Sequence, residues 1–149
     1  MSASNRTIPR PAGTRVQRIL VTGSRYLTDR GIVEELLNLA LVRCGSYEDT
    51  VLVHGGAGGA DLLAAEAWQT WGLRQEAHRA DWNRYGRSAG PRRNIQMVAL
   101  GADLCVAFFD EQPNRGTTHC SDIAERAGIP VIRVQTSADS PARFKLPRT

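Results

Sequence analysis

The chain has 149 residues, of which 42% are hydrophobic and 23% charged, and it carries a formal net charge of +4. This length fits one domain with its own core, and no apolar run approaches the ~20 residues of a membrane-spanning helix, so we expect no membrane partner. The start of the chain lacks the apolar centre of a signal peptide, and the three cysteines show no CxxC spacing. These features favour a reduced, cytoplasmic protein without a metal site.

Both ends of the chain are polar, and we expect them to be flexible tails around one folded domain, residues 18–134. Residues 1–17 hold three arginines and no acid, and residues 135–149 are also mostly polar and basic. Basic tails can contact nucleic acid, although flexible solubilising ends are the commoner case.

The first predicted strand is the apolar run at residues 18–22, and it ends at Gly23, Ser24 and Arg25. A backbone N–H, a hydroxyl and a guanidinium placed just past a strand can surround a phosphate. Apolar residues then recur at helical spacing between positions 32 and 41, which predicts a helix.

A glycine-rich turn follows the second predicted strand, residues 51–53. A helix is predicted directly after it, with Asp61 in the first helical turn. Glycines let the backbone turn sharply and let a ligand approach the main chain, and the helix start adds unpaired N–H groups and partial positive charge. This order predicts an anion site, most often for phosphate; the alternative is a tight turn without a ligand. The turn consists of His54, Gly55, Gly56, Ala57, Gly58 and Gly59.

Residues 79–90 are predicted to form a long loop after a polar third strand near a sheet edge. Arginines and aromatic residues are interleaved here, with Asp81 and Trp82 side by side and no other acid between positions 79 and 93. Guanidinium forks suit a phosphate and flat aromatic faces suit a base, so the loop is a candidate nucleotide contact. A solvated arginine-rich loop is the alternative.

Pro91 is well placed as the first residue of the next helix, because its fixed φ and missing N–H are tolerated there. This assignment puts Arg92, Arg93 and Asn94 in the first turn. Cations at a helix start oppose the helix dipole unless an anion is bound, which favours a functional interpretation of the two arginines.

The rest of the chain repeats the strand and helix order. A buried strand is predicted at residues 104–109, and Gly116, Thr117 and Thr118 then open a helix before the last strand, residues 130–134. Alternating strands and helices predict a Rossmann-like three-layer α/β sandwich with a mostly parallel central sheet. The candidate loops then share the carboxyl edge of the sheet, where such folds bind ligands.

The ordered set of GSR, HGGAGGAD, ADW, AGPRRNIQM, GADLCVAFF, GTT and AGIPVIRV resembles the YspA branch of the SLOG superfamily. That superfamily includes the LOG phosphoribohydrolases and the DNA-processing protein DprA. The resemblance covers about residues 18–134 and implies a Rossmann-like domain that binds a nucleotide or a nucleotide derivative. Because LOG-type relatives pair, it also implies a homodimer.

Three LOG motifs carry over in part. Gly55, Gly56 and Gly59 match the glycines of GGxxGxM, with Asp61 in place of the methionine. Arg92 or Arg93 is the counterpart of the MxxRK arginine. Gly116 and Thr117 keep the Gly-Thr of PGGxGTxxE. The catalytic glutamate of that last motif is replaced by Cys120.

Loss of that glutamate puts the LOG reaction in doubt, since a carboxylate stabilises the cationic sugar that forms during N-glycosidic cleavage. Of the available carboxylates Asp61, Asp81 and Asp122, Asp81 is our candidate for the relocated one, and Asp61 is expected to cap N–H groups or to meet a ribose hydroxyl. His54 and His119 are either acid–base groups or structural histidines, and Cys120 is either a thiol of lowered pKa or an inert buried one.

These observations favour a module that binds or senses a nucleotide-type small molecule, without a separate cofactor or metal. The first alternative is a phosphoribohydrolase-like enzyme that uses Asp81. The second is a DprA-like protein that binds nucleic acid through its basic tails.

Overall fold

A computed structural model describes residues 17–44 and 49–147. Six strands form one sheet in the order β3-β2-β1-β4-β5-β6, and all neighbours are parallel except β5 and β6. The Rossmann-like α/β fold with a mostly parallel sheet is therefore confirmed. The strands are β1 (Gln17–Gly23), β2 (Thr50–His54), β3 (Gln75–Ala77), β4 (Leu104–Phe109), β5 (Val131–Gln135) and β6 (Arg143–Lys145).

Helices cover both faces of the sheet and give the domain three layers. The helices are α1 (Arg30–Cys44), α2 (Ala60–Thr70), α3 (Trp82–Tyr85), α4 (Ala89–Leu100) and α5 (Arg115–Arg126). Alternate residues of each strand point to opposite faces, so Ile19 packs with α1 and α2, whereas its neighbour Leu20 packs with α4 and α5. Trp68 of α2 is fully buried in the first of these layers.

Three boundaries differ from the sequence predictions. The predicted loop at 79–90 contains α3 and the short 3-10 helix Gly86–Ser88, because Asp81 caps α3 by accepting a hydrogen bond from the backbone N–H of Arg84. Helix α4 begins two residues before Pro91, which still lies in the first turn. Helix α5 begins at Arg115 instead of Thr118.

The structure describes most of the predicted C-terminal tail but almost none of the N-terminal one. Residues 1–16 lie outside the described residues, and Gln17 opens β1. Residues 135–149 were expected to be a tail, yet β6 lies within them and pairs antiparallel with β5. The sequence analysis missed β6 because a run of three exposed residues has no apolar period. Within the described residues, no helix is long and apolar enough to cross a membrane.

Candidate functional site

A crevice opens at the carboxyl edge of the sheet between β1 and β4. Strand order reverses there, because β2 and β3 lie on one side of β1 while β4 and β5 lie on the other. Ligands of open α/β sheets bind at this position. We call it the switch-point crevice; its volume is about 340 Å³. It is lined by Thr22, Gly23, Ser24, Arg25, Tyr26, Ala57, Asp61, Arg93, Asn94, Gln112, Pro113, Asn114, Arg115, Gly116 and Thr117.

The loop from β4 to α5 forms one wall, and two side chains hold its shape. The backbone N–H of Asp110 donates to Oδ1 of Asn114 (2.8 Å), and the Asn114 amide donates back to Asp110 Oδ1 (2.9 Å). Asn114 adopts a left-handed conformation, with φ of 52°, directly before α5. Burial raises the pKa of Asp110, but hydrogen bonds from Ser24 and Asn114 together hold it below its ordinary value. Asp110 thus ties the two walls of the crevice together.

The glycine turn after β2 is occupied by a carboxylate of the protein itself. Asp61 turns its side chain back over the loop, where Oδ2 accepts from the N–H groups of Gly55 (3.0 Å) and Ala57 (3.3 Å). Burial raises the pKa of the Asp61 carboxyl. The other carboxylate oxygen, Oδ1, is buried and has no hydrogen-bond partner among the described residues. Part of the predicted anion site is therefore filled by Asp61.

Protein neighbours explain three of the four glycines in this turn. A β-carbon on Gly55 would collide with the guanidinium of Arg93, and one on Gly56 would come within 2.9 Å of Arg79 Cγ. Gly59 has a φ of +66° and packs against the backbone of Ser24 and Arg25. Only Gly58 has room for a β-carbon, with the carbonyl of Arg25 at 3.7 Å. Three of the four glycines are thus needed for packing of the turn, which fits the sharp turn predicted from the sequence, whereas the predicted approach of a ligand stays a prediction.

Arg93 and Asn94 connect the start of α4 to both neighbouring loops. Nη1 of Arg93 donates to the carbonyls of Gly55 (2.6 Å) and His78 (3.3 Å). The buried Asn94 side chain donates to the carbonyl of Gly116 (3.3 Å) at the start of α5. Both residues line the crevice, and Arg93 is held by backbone carbonyls while it faces the crevice.

Two exposed arginines flank the crevice without an ion-pair partner in the described part of the chain. Arg25 follows β1 and Arg115 opens α5, on opposite walls. The buried residues Ser24 and Thr117 line the same crevice, and so does Tyr26, which is 66% exposed. Guanidinium and hydroxyl donors beside a flat aromatic ring suit the phosphate and base of a nucleotide.

Several predicted site residues lie elsewhere. Asp81 is exposed and caps α3, and Trp82 is 51% exposed outside the crevice. Arg92 stacks on the Tyr85 ring, with its guanidinium carbon 4.4 Å from the centroid. The lining also lacks His54, Thr118 and the four glycines of the turn, Gly55, Gly56, Gly58 and Gly59. The predicted residues that do line the crevice are Gly23, Ser24, Arg25, Ala57, Asp61, Arg93, Asn94, Gly116 and Thr117.

The surroundings of His54 and Cys120 indicate structural roles for both side chains. Nδ1 of His54 accepts from the backbone N–H of Gly56 (3.0 Å), so Nε2 carries the proton and donates to Gln75 (2.8 Å). This geometry joins the turn to β3. Burial raises the pKa of Cys120 to about 11, which favours the inert thiol over the alternative of a lowered pKa. Nδ1 of His119 lies 3.3 Å from the amide nitrogen of Asn94.

Six residues of the lining were not predicted, three of them in the β4–α5 loop and one, Arg115, at the start of α5. Asp110 and Asn114 carried a usable signal, because Asp and Asn four positions apart after a strand are typical of a side-chain-closed turn. The missed residues are Thr22, Tyr26, Gln112, Pro113, Asn114 and Arg115.

A larger cavity of about 440 Å³ lies at the opposite edge of the sheet, around the start of β5 and the end of β6. Its arginine, Arg133, is already paired with Asp122 (3.3 Å) and Glu125 (2.9 Å). No predicted site residue lines it. Among the described residues, no group of three or more His, Cys, Asp or Glu side chains is placed to hold a metal ion.

Comparisons with known proteins give three matches. The model of the YspA, cpYpsA-related SLOG family matches residues 17–85. The Gene 61 protein of Mycobacterium phage D29 is 48% identical over 124 residues, which is 78% of this chain and 95% of that protein. The X-ray structure of DNA processing protein A (DprA) from Streptococcus pneumoniae superposes with a TM-score of 0.59 at 18% identity. That match covers 77% of this chain but only 49% of DprA.

Proposed function

Because this chain belongs to the YspA, cpYpsA-related SLOG family, we propose that it binds or senses a nucleotide-type small molecule in the switch-point crevice. The family and the DprA-like fold fit a nucleotide-related or nucleic-acid-binding role. The observation that carries the proposal is the pair Arg25 and Arg115, which both line the crevice without a carboxylate partner in the described part of the chain. An anion between them would gain charge-assisted hydrogen bonds from both walls.

Calorimetric titration of the wild-type protein with AMP, GMP, CMP and UMP tests this proposal. We expect saturable binding of at least one nucleotide, and Arg25→Ala and Arg115→Ala should each weaken it about tenfold or more. Arg126→Ala is the matched control, since Arg126 lies at the other end of α5 and outside the crevice. Failure of all four nucleotides to bind would overturn the proposal.

Nucleic-acid binding is the second candidate, and the surface around α3 favours it. Arg84, Arg87 and Arg92 are exposed there beside the half-exposed Trp82, and Asp81 is engaged as the helix cap. Exposed arginines and an aromatic face suit a single strand. Salt-dependent binding of an oligothymidylate that is lost in Arg84→Ala/Arg87→Ala, and unchanged in Arg115→Ala, would favour this candidate over the crevice.

Hydrolysis of the bound nucleotide stays a prediction with a direct test. Asp81, the residue proposed for the missing carboxylate, is remote from the crevice lining. Release of free base from AMP by the wild-type protein would favour an enzyme. Loss of that release in Asp81→Asn would identify Asp81 as the relocated carboxylate.

The expected homodimer is tested separately, by measuring the molar mass of the protein in solution with light scattering.

A further inference from the structure

One carboxylate oxygen beside the switch-point crevice lacks a donor. Asp61 lines the crevice and is only 5% exposed. Its Oδ2 accepts from two backbone N–H groups, whereas Oδ1 is buried without a hydrogen-bond partner among the described residues. An ionised carboxylate can only accept hydrogen bonds, and leaving one buried oxygen unpaired is costly.

The loop N–H groups around Asp61 are already engaged, and no hydrogen bond from Arg93 reaches Oδ1. The N–H groups of Gly55 and Ala57 are taken by Oδ2, and Arg93 donates to the carbonyls of Gly55 and His78 and to Asn94. The donor for Oδ1 then comes from solvent or from a ligand in the crevice. A donor on the ligand would pair this buried oxygen, and the free energy of the new hydrogen bond would add to binding.

The remaining walls indicate what kind of ligand carries that donor. Arg25, Arg115 and the Thr117 hydroxyl offer donors to an anion, while Asp61 offers an acceptor. A ligand that pairs with the donors and with the acceptor must carry an anionic group and, a few bonds away, hydroxyl donors. A phosphorylated ribose has this arrangement, with its 5′-phosphate and its 2′- and 3′-hydroxyls.

We propose that Oδ1 of Asp61 accepts a hydrogen bond from a ribose hydroxyl, so that the crevice prefers ribonucleotides to their deoxy analogues. This inference rests on the proposed function and narrows its ligand class. The interaction is charge-assisted, and its loss should weaken binding about tenfold or more.

The test compares AMP with 2′-deoxy-AMP and 3′-deoxy-AMP by calorimetric titration of the wild-type protein. We expect at least one deoxy compound to bind about tenfold or more weakly. The analogue with fluorine at that same position should bind as weakly, because fluorine cannot donate. Equal affinities for all three nucleotides, or full affinity of the fluoro analogue, would overturn the inference while leaving the proposed function intact.

Asp61→Asn tests the atom itself. The amide oxygen can take over the two loop N–H groups, and the neutral amide nitrogen then stands in place of the charged acceptor Oδ1. Only a weaker, uncharged hydrogen bond to the hydroxyl oxygen is left, so the preference should fall below about threefold. Glu66→Gln is the matched control, an exposed carboxylate on the same helix, and it should keep the preference. Far-ultraviolet circular dichroism checks the fold of both variants.

An undiminished preference in folded Asp61→Asn would overturn the role of Asp61. If no nucleotide binds the wild-type protein, the proposed function fails and this inference fails with it.

Discussion

At the scale of single residues, the glycine turn depends on its protein partners. Arg93 lies where a side chain at Gly55 would be, and Asp61 supplies the negative charge that the loop N–H groups attract. These contacts form without a ligand. Substitutions in the turn can therefore show which residues support the fold and which contribute to ligand binding.

Gly59→Ala should lower the free energy of unfolding by about 2 kcal/mol or more, measured by urea denaturation. The positive φ is strained for alanine, and the new β-carbon would lie within 2.6 Å of Arg25 Cα. Gly58→Ala is the matched variant one residue earlier. Its φ is outside the left-handed region and its surroundings are open, so its effect should stay under about 1 kcal/mol. Equal losses in the two variants would contradict this account of the turn.

Arg93→Ala should destabilise the protein by about 1–3 kcal/mol, because the carbonyls of Gly55 and His78 lose their charged donor. It should also weaken the binding of AMP more than the binding of adenosine, since Arg93 lines the crevice and only AMP carries a phosphate. Arg92→Ala serves as the control. It removes an exposed stack on Tyr85 and should cost under about 1 kcal/mol. An identical loss of affinity for AMP and adenosine would show that Arg93 supports the loop without contacting phosphate.

At the scale of elements, the start of α5 is fixed by the turn before it. Asn114 combines a left-handed backbone with two hydrogen bonds to Asp110, and this places Arg115, Gly116 and Thr117 in the first turn of the helix. The predicted start at Thr118 was late because a Gly-Thr pair resembles a helix cap in sequence. The start of α5 is instead fixed by the hydrogen bonds between Asp110 and Asn114, which precede the Gly-Thr pair.

Asn114→Ala should cost about 1–2 kcal/mol, since it loses both the side-chain hydrogen bonds and a residue type that tolerates a positive φ better than alanine does. Asn114→Gly keeps the backbone conformation but not the hydrogen bonds, so its loss should be smaller. Thermal unfolding of the two variants measures the difference. If glycine proves as harmful as alanine, the left-handed conformation contributes nothing to the cost.

At the scale of the whole molecule, one arginine joins distant parts of the sheet. The guanidinium of Arg18 in β1 forms two hydrogen bonds to Glu76 in β3, at 2.9 and 3.0 Å, and a third to the carbonyl of Gly101 after α4. Strand β3 is short and lies at an edge, so this contact supports its attachment. The hydrogen bonds from Arg18 lower the pKa of Glu76 from its ordinary value of 4.5.

This lowered pKa predicts how stability depends on pH. The ionised Glu76 stabilises the fold above about pH 4.5, and that contribution is lost as the pH falls through the lowered pKa. Because the carboxylate is 42% exposed, the effect should be under about 1 kcal/mol. Glu76→Gln should therefore reduce stability at pH 7 and leave it nearly unchanged at pH 3. The same loss at both pH values would rule out an ionic contribution.

The general fold was readable from the sequence because apolar strands alternate with amphipathic helices, and the carboxyl-edge loops follow from that order. The details of the site were not readable in the same way. Asp81 and Trp82 are close in sequence to Arg93, but α3 carries them away from the crevice. Arg25 and Arg115 are 90 positions apart, and only the pairing of β1 with β4 brings their loops together.

The short strand β6 also covers part of a sheet edge that could otherwise pair with another chain. It pairs with residues 133–135 of β5, which would otherwise present unpaired backbone groups at a sheet edge. Arg143 and Lys145 place charges on the new outer edge, and such charges discourage pairing with another chain. Truncation after residue 138 should therefore promote aggregation through β5, detectable as thioflavin binding and rising light scattering. A second truncated chain with Gln135→Lys, at the exposed end of β5, should resist it.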